Sequence, residues 1–194
     1  MPVFGRRQAG GAAQQPATSA PEAGAPAPAP STGRIGTRYV MKQRLFALGE
    51  DFDITDERGQ RAFHVNGKAL RVRDTLLFED AQGREIYKIQ EKVARLRDTM
   101  NIYRGNQVAA SIHKALITPV RERFDVNIAG QGDLSVQGNI LDHEYRIEQA
   151  GRPVAEVSMR WFRVRDTYGV EVAPGVDPLL ILAVTVGIDM LAHD

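Results

Sequence analysis

Three near copies of one pentapeptide hold the residues of this chain best suited to chemistry: Arg71-Val72-Arg73-Asp74-Thr75, Arg95-Leu96-Arg97-Asp98-Thr99 and Arg163-Val164-Arg165-Asp166-Thr167. In an extended strand, residues two apart share a face, so each copy would set two arginines on one side. A guanidinium presents a planar fork of donors that matches phosphate or carboxylate oxygens in pairs. Arg71, Arg73, Arg95, Arg97, Arg163 and Arg165 are therefore a candidate site for an anionic ligand such as a lipid phosphate. The same spacing also describes a solvated outer face of an antiparallel sheet, each arginine balanced by its neighbouring aspartate, or the echo of duplicated hairpins.

The other reactive residue types do not assemble into a site. Asp51, Asp53 and Thr55 begin like a calcium loop, but Asp56 stands where the sharp turn needs glycine, and Ala62 where a bidentate glutamate is needed. The acidic run Asp51 to Glu57 reads instead as a hairpin tip. His64, His113, His143 and His193 are scattered without metal-ligand spacing. In Asp142-His143-Glu144, neighbouring side chains point to opposite faces, as at a turn or strand end. Gly130-Gln131-Gly132 is followed by no Lys-Ser or Lys-Thr pair and reads as a loop tip, not a phosphate loop. No Gly-x-Ser-x-Gly elbow occurs. Trp161 and Phe162, between Arg160 and Arg163, suit a membrane interface or, more commonly, a core anchor beside surface charge. With no cysteine there is no disulfide, thiolate metal site or thiol nucleophile, which fits a reducing compartment. The expectation is a non-enzymatic protein with no cofactor and no metal.

The elements that must position these residues come from a repeat. Phe52 and Ile54, Leu76 and Phe78, Met100 and Ile102, Phe124 and Val126, and Tyr145 and Ile147 form apolar-x-apolar triplets about 24 residues apart, the last spacing slightly shorter. A glycine follows each triplet: Gly59, Gly83, Gly105, Gly130 and Gly151. A second alternating run comes after each glycine. Alternation marks half-buried strands, and two such runs about a glycine turn mark a hairpin. Asn66-Gly67 is a further turn signal. Five hairpins, one strand from Arg38 to Phe46 and one from Phe162 to Val172 make about twelve strands.

After them, Pro174-Gly175 breaks the chain, Asp177 can cap and Pro178 suits a first helical position. Leu179 to Ile188 carries no charge, and Thr185 is its one clear polar group. A helix apolar on all sides must be buried on all sides. It is too short to span a bilayer, which takes about 20 residues. A solenoid or propeller would also fit the repeat period. The helix favours a closed barrel: a sheet this wide cannot fill itself with side chains, and the helix supplies the filling. Asp189 lies late in the helix, where the macrodipole disfavours a carboxylate. It should pair with a strand residue or emerge at the barrel mouth.

Residues 1–33, rich in Ala, Pro, Gly, Gln and Ser, read as a disordered arm, and 34–194 as one domain with its central helix at 178–193. Lys plus Arg number 25 against 24 for Asp plus Glu, a balance that gives no reason to expect nucleic acid. No apolar run follows Arg6 and Arg7, so no secretory signal is read there.

The opening Tyr39-Val40-Met41-Lys42-Gln43-Arg44-Leu45-Phe46, the hairpin units and the close from Val172 through Pro178 to Asp189 resemble the LURP-one-related family. That family lies within the superfamily of the tubby C-terminal domain and the phospholipid scramblases, and the resemblance spans about Arg38 to His193. It implies a twelve-stranded barrel around a hydrophobic C-terminal helix. It also implies contact with phospholipid, since tubby-type domains bind phosphoinositide headgroups and scramblases act at membranes. No motif transfers a headgroup-binding residue to this chain. The expectation is a cytoplasmic, membrane-peripheral barrel that binds anionic phospholipid or a protein partner through a basic strand face. The alternatives are a scaffold without a small ligand and a membrane-inserted, scramblase-like protein.

Overall fold

A computed structural model describes residues 36–42, 51–67, 75–92, 99–115, 122–162 and 167–193. Its twelve strands are β1 (Thr37–Lys42), β2 (Phe52–Asp56), β3 (Arg61–Asn66), β4 (Thr75–Asp80), β5 (Glu85–Glu91), β6 (Thr99–Arg104), β7 (Gln107–Lys114), β8 (Glu122–Ile128), β9 (Gly132–Asn139), β10 (Glu144–Gln149), β11 (Arg152–Ser158) and β12 (Thr167–Val172). Each pairs antiparallel with its sequence neighbours, and β1 pairs with β12 from Thr37↔Val172 to Lys42↔Thr167. Closure leaves no edge, so every strand is paired on both sides.

The triplets set the register. Phe52 faces Val65, Leu76 faces Ile89, Met100 faces Ile112, Phe124 faces Val136 and Tyr145 faces Val157, and all of these side chains are buried inside the barrel. Four of the five hairpins shift register just past the triplet, at Ile54/Thr55, Phe78/Glu79, Ile102/Tyr103 and Ile147/Glu148. The repeat glycine sits in the adjoining turn with φ between 59° and 77°, a backbone shape other residues resist.

Two expected bounds are corrected, and the expected far end of the first strand lies outside the described residues. Strand β1 is described from Thr37 to Lys42 rather than Arg38 to Phe46, with 43–50 outside the described residues. Strand β12 begins at Thr167, and Phe162 belongs to the loop before it. The acidic run is not a hairpin tip: Phe52–Asp56 is strand β2, and the tip lies at Glu57 to Gln60. Alternation wins there, because Phe52 and Ile54 point inward while Asp53 points out to His64.

Helix α1 (Pro178–His193) threads the barrel. Its start lies by the β6–β7 turn, where Arg104 reaches Asp177 at 3.7 Å. Near its other end the Leu191 carbonyl accepts from Lys114 Nζ, at the far end of β7, at 3.4 Å. Sixteen residues at 1.5 Å each give about 24 Å, enough to cross the sheet. Residues 181–189 are all buried, whichever way they point. The helix sits off-centre, closest to β5–β7 and β12. Gly187 permits this: a Cβ there would lie 2.5 Å from Ile112 Cδ1 and 3.4 Å from Met100 Cγ. Tyr39, Phe63, Phe78 and Tyr87 form a chain of aromatic contacts with centroid spacings of 5.4–6.4 Å.

Candidate functional site

An up-and-down barrel has two unlike rims. Hairpin turns joining β2 to β3, β4 to β5, β6 to β7, β8 to β9 and β10 to β11 lie at one rim, with the segment entering α1. These connections are short and glycine-bearing, and we call this the turn rim. Connections β1–β2, β3–β4, β5–β6, β7–β8, β9–β10 and β11–β12 belong to the opposite rim, the loop rim, where α1 ends.

All six candidate arginines, Arg71, Arg73, Arg95, Arg97, Arg163 and Arg165, lie outside the described residues. The strands that follow them begin on the threonine closing each copy: Thr75, Thr99 and Thr167. The arginines therefore precede the described strands β4, β6 and β12, and the described residues flanking each copy stand at the loop rim. Across the loop-rim connections cations outnumber carboxylates about two to one, whereas the turn-rim connections carry as many of one as of the other.

The β11–β12 connection opens on residues the structure describes. Glu144, first residue of β10, gathers it in: Ser158 Oγ donates to both carboxylate oxygens at 2.9 and 3.0 Å, Met159 N–H donates at 3.0 Å and Arg160 N–H at 3.2 Å. The anchored loop lays Trp161 and Phe162 on the outer wall over Gly169, where a Cβ would come within 2.6 Å of Trp161 and 2.8 Å of Phe162. Arg38 stacks on the Trp161 ring at 4.1 Å and donates to Glu171 at 2.6 Å. Trp161 is thus half-buried on the outer wall beside charge, and is not the core anchor expected of it.

Beneath the loop rim, inside the barrel, lies a polar cluster the sequence reading only half saw. Thr185 and Asp189, four residues apart, share one face of the helix. Tyr168 of β12 donates its hydroxyl to Asp189 Oδ2 in a very short hydrogen bond. His143 Nδ1 stands 3.4 Å from Asp189 Oδ1, and its ring stacks on Tyr168 at 4.2 Å and 4°. Thr185 Oγ1 donates to the Ile181 carbonyl at 3.0 Å, and the Tyr145 hydroxyl reaches Thr185. All five side chains are buried. A buried carboxylate is tolerable only with partners, and Asp189 has the strand partner expected of it. Burial, reinforced by the Asp189 charge, pushes the Tyr145 and Tyr168 phenols well above the ordinary value of 10.0. His143 is placed by a left-handed turn residue, its own φ being 50°. The signal that could have revealed the cluster was the pair of polar residues at helical spacing in an otherwise apolar helix; their partners were unreadable because Tyr145 and Tyr168 look like ordinary inward strand positions.

The remaining candidates are dispersed. Asp53 pairs with His64 at 2.7 Å on the outer wall, and Asp51 Oδ1 accepts from Gly67 N–H at 3.1 Å. His113 meets Thr99 at 3.3 Å. In the 142–144 trio, Asp142 bonds Asn139, His143 turns inward and Glu144 holds the β11–β12 loop, so the three diverge as expected. Among the described residues no group of three or more His, Asp or Glu side chains is placed to hold a metal ion. Gly130 and Gln131 lie in the β8–β9 turn, and Gly132 opens β9. No described helix is long and apolar enough to cross a membrane.

A family model described as LURP-one-related matches residues 37–189, from the first strand to the helix carboxylate. The chain belongs to the LURP-one-related family. It is 23% identical over 154 residues to the uncharacterised protein YxjI of Bacillus subtilis strain 168, covering 79% of this chain and 93% of that one. Among solved structures, that of a protein from Arabidopsis thaliana matches with a TM-score of 0.61 at 18% identity, covering 82% of this chain and 93% of that one. The structural likeness is one of fold.

Proposed function

We propose that this protein is a non-enzymatic, membrane-peripheral cytoplasmic domain that binds anionic phospholipid through Arg71, Arg73, Arg95, Arg97, Arg163 and Arg165. The observation that carries the reading is topological: the strand ends flanking all three arginine copies share one rim. Arginine gives bidentate contact with phosphate oxygens, and each basic residue near an anionic leaflet contributes about 1 kcal/mol. The resemblance to tubby-type domains, which bind phosphoinositide headgroups, points the same way. The outer wall supports peripheral rather than inserted binding. Its outward positions carry Asp53, His64, Lys88, Asp125 and Arg146, where a lipid-facing band would be apolar. The polar cluster under the rim is sealed from solvent, and its Tyr168–Asp189 hydrogen bond ties a strand to the helix, which suits a role in holding the helix rather than in turnover.

The test is co-sedimentation of the full chain with vesicles of phosphatidylcholine alone, or with phosphatidylserine or a phosphoinositide added, at low and high salt. Pelleting that needs anionic lipid and fades with salt is the expected result. Changing one arginine pair to glutamine should cost about 2 kcal/mol, roughly thirtyfold in partitioning. Absence of anionic-lipid pelleting at low salt would leave a scaffold or an acidic protein partner as the better account.

A further inference from the structure

We infer that the barrel stands end-on at the bilayer, loop rim down, and that Leu141 enters the headgroup region. This rests on the lipid-binding reading above and adds an orientation and an apolar contact to it. Among the described residues, two large apolar side chains are exposed: Leu141 at 50% and Val108 at 42%. They stand at opposite rims, Leu141 in the β9–β10 connection and Val108 beside the β6–β7 turn. A single exposed apolar residue is ordinary on a soluble surface, so exposure alone decides nothing. What distinguishes Leu141 is the company and the mounting.

The company is the sequence of the neighbouring connections. The loop-rim segments combine cations with large apolar residues: Arg44 with Leu45 and Phe46, Lys68 with Leu70, and Arg95 and Arg97 about Leu96. The turn-rim hairpin segments read Glu57 to Gln60, Ala81 to Arg84, Gly105-Asn106, Ala129 to Gln131 and Ala150-Gly151, without a large apolar side chain, and in the segment entering α1 Val176 packs against the core. Cations mixed with bulky apolar groups are the composition that anionic interfaces retain.

The mounting is rigid. Asp142 N–H donates to Asn139 Oδ1 at 3.2 Å, and Asn139 Nδ2 donates to Asp142 Oδ2 at 2.6 Å. His143 N–H donates to the Ile140 carbonyl at 3.0 Å, and Ile140 is buried. The His143 ring then locks the turn to Tyr168 and to Asp189 of the central helix. An apolar group displayed on a fixed turn loses little conformational freedom when it meets a partner. Arg160 is at the same rim, its side chain 68% exposed but 3.6 Å from the Glu144 carboxylate that also holds its backbone, so a lipid phosphate there would share the guanidinium with Glu144.

The chain has no cysteine, so one introduced thiol gives one label. Full-length Leu141→Cys and Val108→Cys, each carrying an environment-sensitive fluorophore, are mixed with phosphatidylcholine–phosphatidylserine vesicles with and without doxyl-labelled lipid. The expected result is a blue shift and at least twofold quenching at position 141, with neither at position 108. Leu141→Asp should lower the vesicle-bound fraction about fivefold while Trp161 emission in solution stays unchanged. Binding with no quenching at 141, or with equal quenching at both sites, overturns the orientation and leaves the lipid-binding reading in place. Failure of the unlabelled chain to bind anionic vesicles overturns both.

Discussion

Replacing Gly187 by alanine tests whether the helix is threaded, because a threaded helix and a surface helix respond with opposite signs. On an exposed helix the change stabilises by about 1 kcal/mol, through lost freedom in the unfolded chain. Inside this barrel the new methyl would stand 2.5 Å from Ile112 Cδ1 and 3.4 Å from Met100 Cγ. The first distance is about 1 Å inside ordinary carbon–carbon contact. Ile112 is fully buried between neighbours, so its terminal methyl has no open space to take. Overpacking of this kind costs about 1–3 kcal/mol, and full burial of Ile112 limits how far its terminal methyl can yield. Against the propensity gain, the net loss should be about 1–2 kcal/mol. Ile112→Val removes the clashing Cδ1 and alone should cost about 1 kcal/mol. In the double variant the alanine methyl takes part of the vacated volume, so the two changes should couple favourably by about 1 kcal/mol or more. Urea unfolding followed by the fluorescence of the chain's one tryptophan supplies all four stabilities. A Gly187→Ala protein more stable than wild type, with no coupling to Ile112→Val, would refute the packing argument.

Three further outcomes follow from the polar groups. Asp189→Ala should destabilise by about 3 kcal/mol in the same urea assay, because it strips a buried partner from Tyr168 and His143. The phenols of Tyr145 and Tyr168 titrate above their unfolded value of 10.0. The native state therefore holds protons the unfolded state releases, so their contribution is complete below about pH 10 and is lost as pH rises beyond it. Stability measured from pH 8 to 11 should fall on the alkaline side, and Tyr145→Phe should flatten that limb; a flat wild-type profile would contradict it. Glu144→Ala should loosen the β11–β12 loop, seen as a red shift and greater iodide quenching of Trp161 without loss of the far-ultraviolet β signal.

How much was legible in the sequence depended on which interaction a residue obeyed. Alternation about Phe52, Leu76, Met100, Phe124 and Tyr145 gave the strands, because one face of each must meet an apolar interior. The featureless apolar run of the helix gave closure, since only enclosure satisfies it. Asp177 was readable as a cap, and its Oδ1 accepts from Leu179 N–H at 3.0 Å. The acidic run at Asp51 to Glu57 misled because charge suggested a tip while the inward pattern of Phe52 and Ile54 decided the strand. Long-range polar pairing stayed hidden. Glu144 meets Ser158, and Glu171 meets Arg38 across a separation of 133 positions, and no local rule links such residues. The common rim of the strand ends that flank the arginine copies is likewise a property of even strand counts between them, which pentapeptide similarity alone does not express.

The order of elements along the chain has a bearing on biosynthesis. Strand β12 must reach back to β1, and the segment that fills the lumen leaves the ribosome after every strand. Until then the nascent sheet is an open trough with two unpaired borders and an empty greasy hollow, the form most prone to sticking to other chains. Closing is therefore a late, concerted event, and chaperone dependence should peak in the interval between release of Val172 and arrival of Leu191.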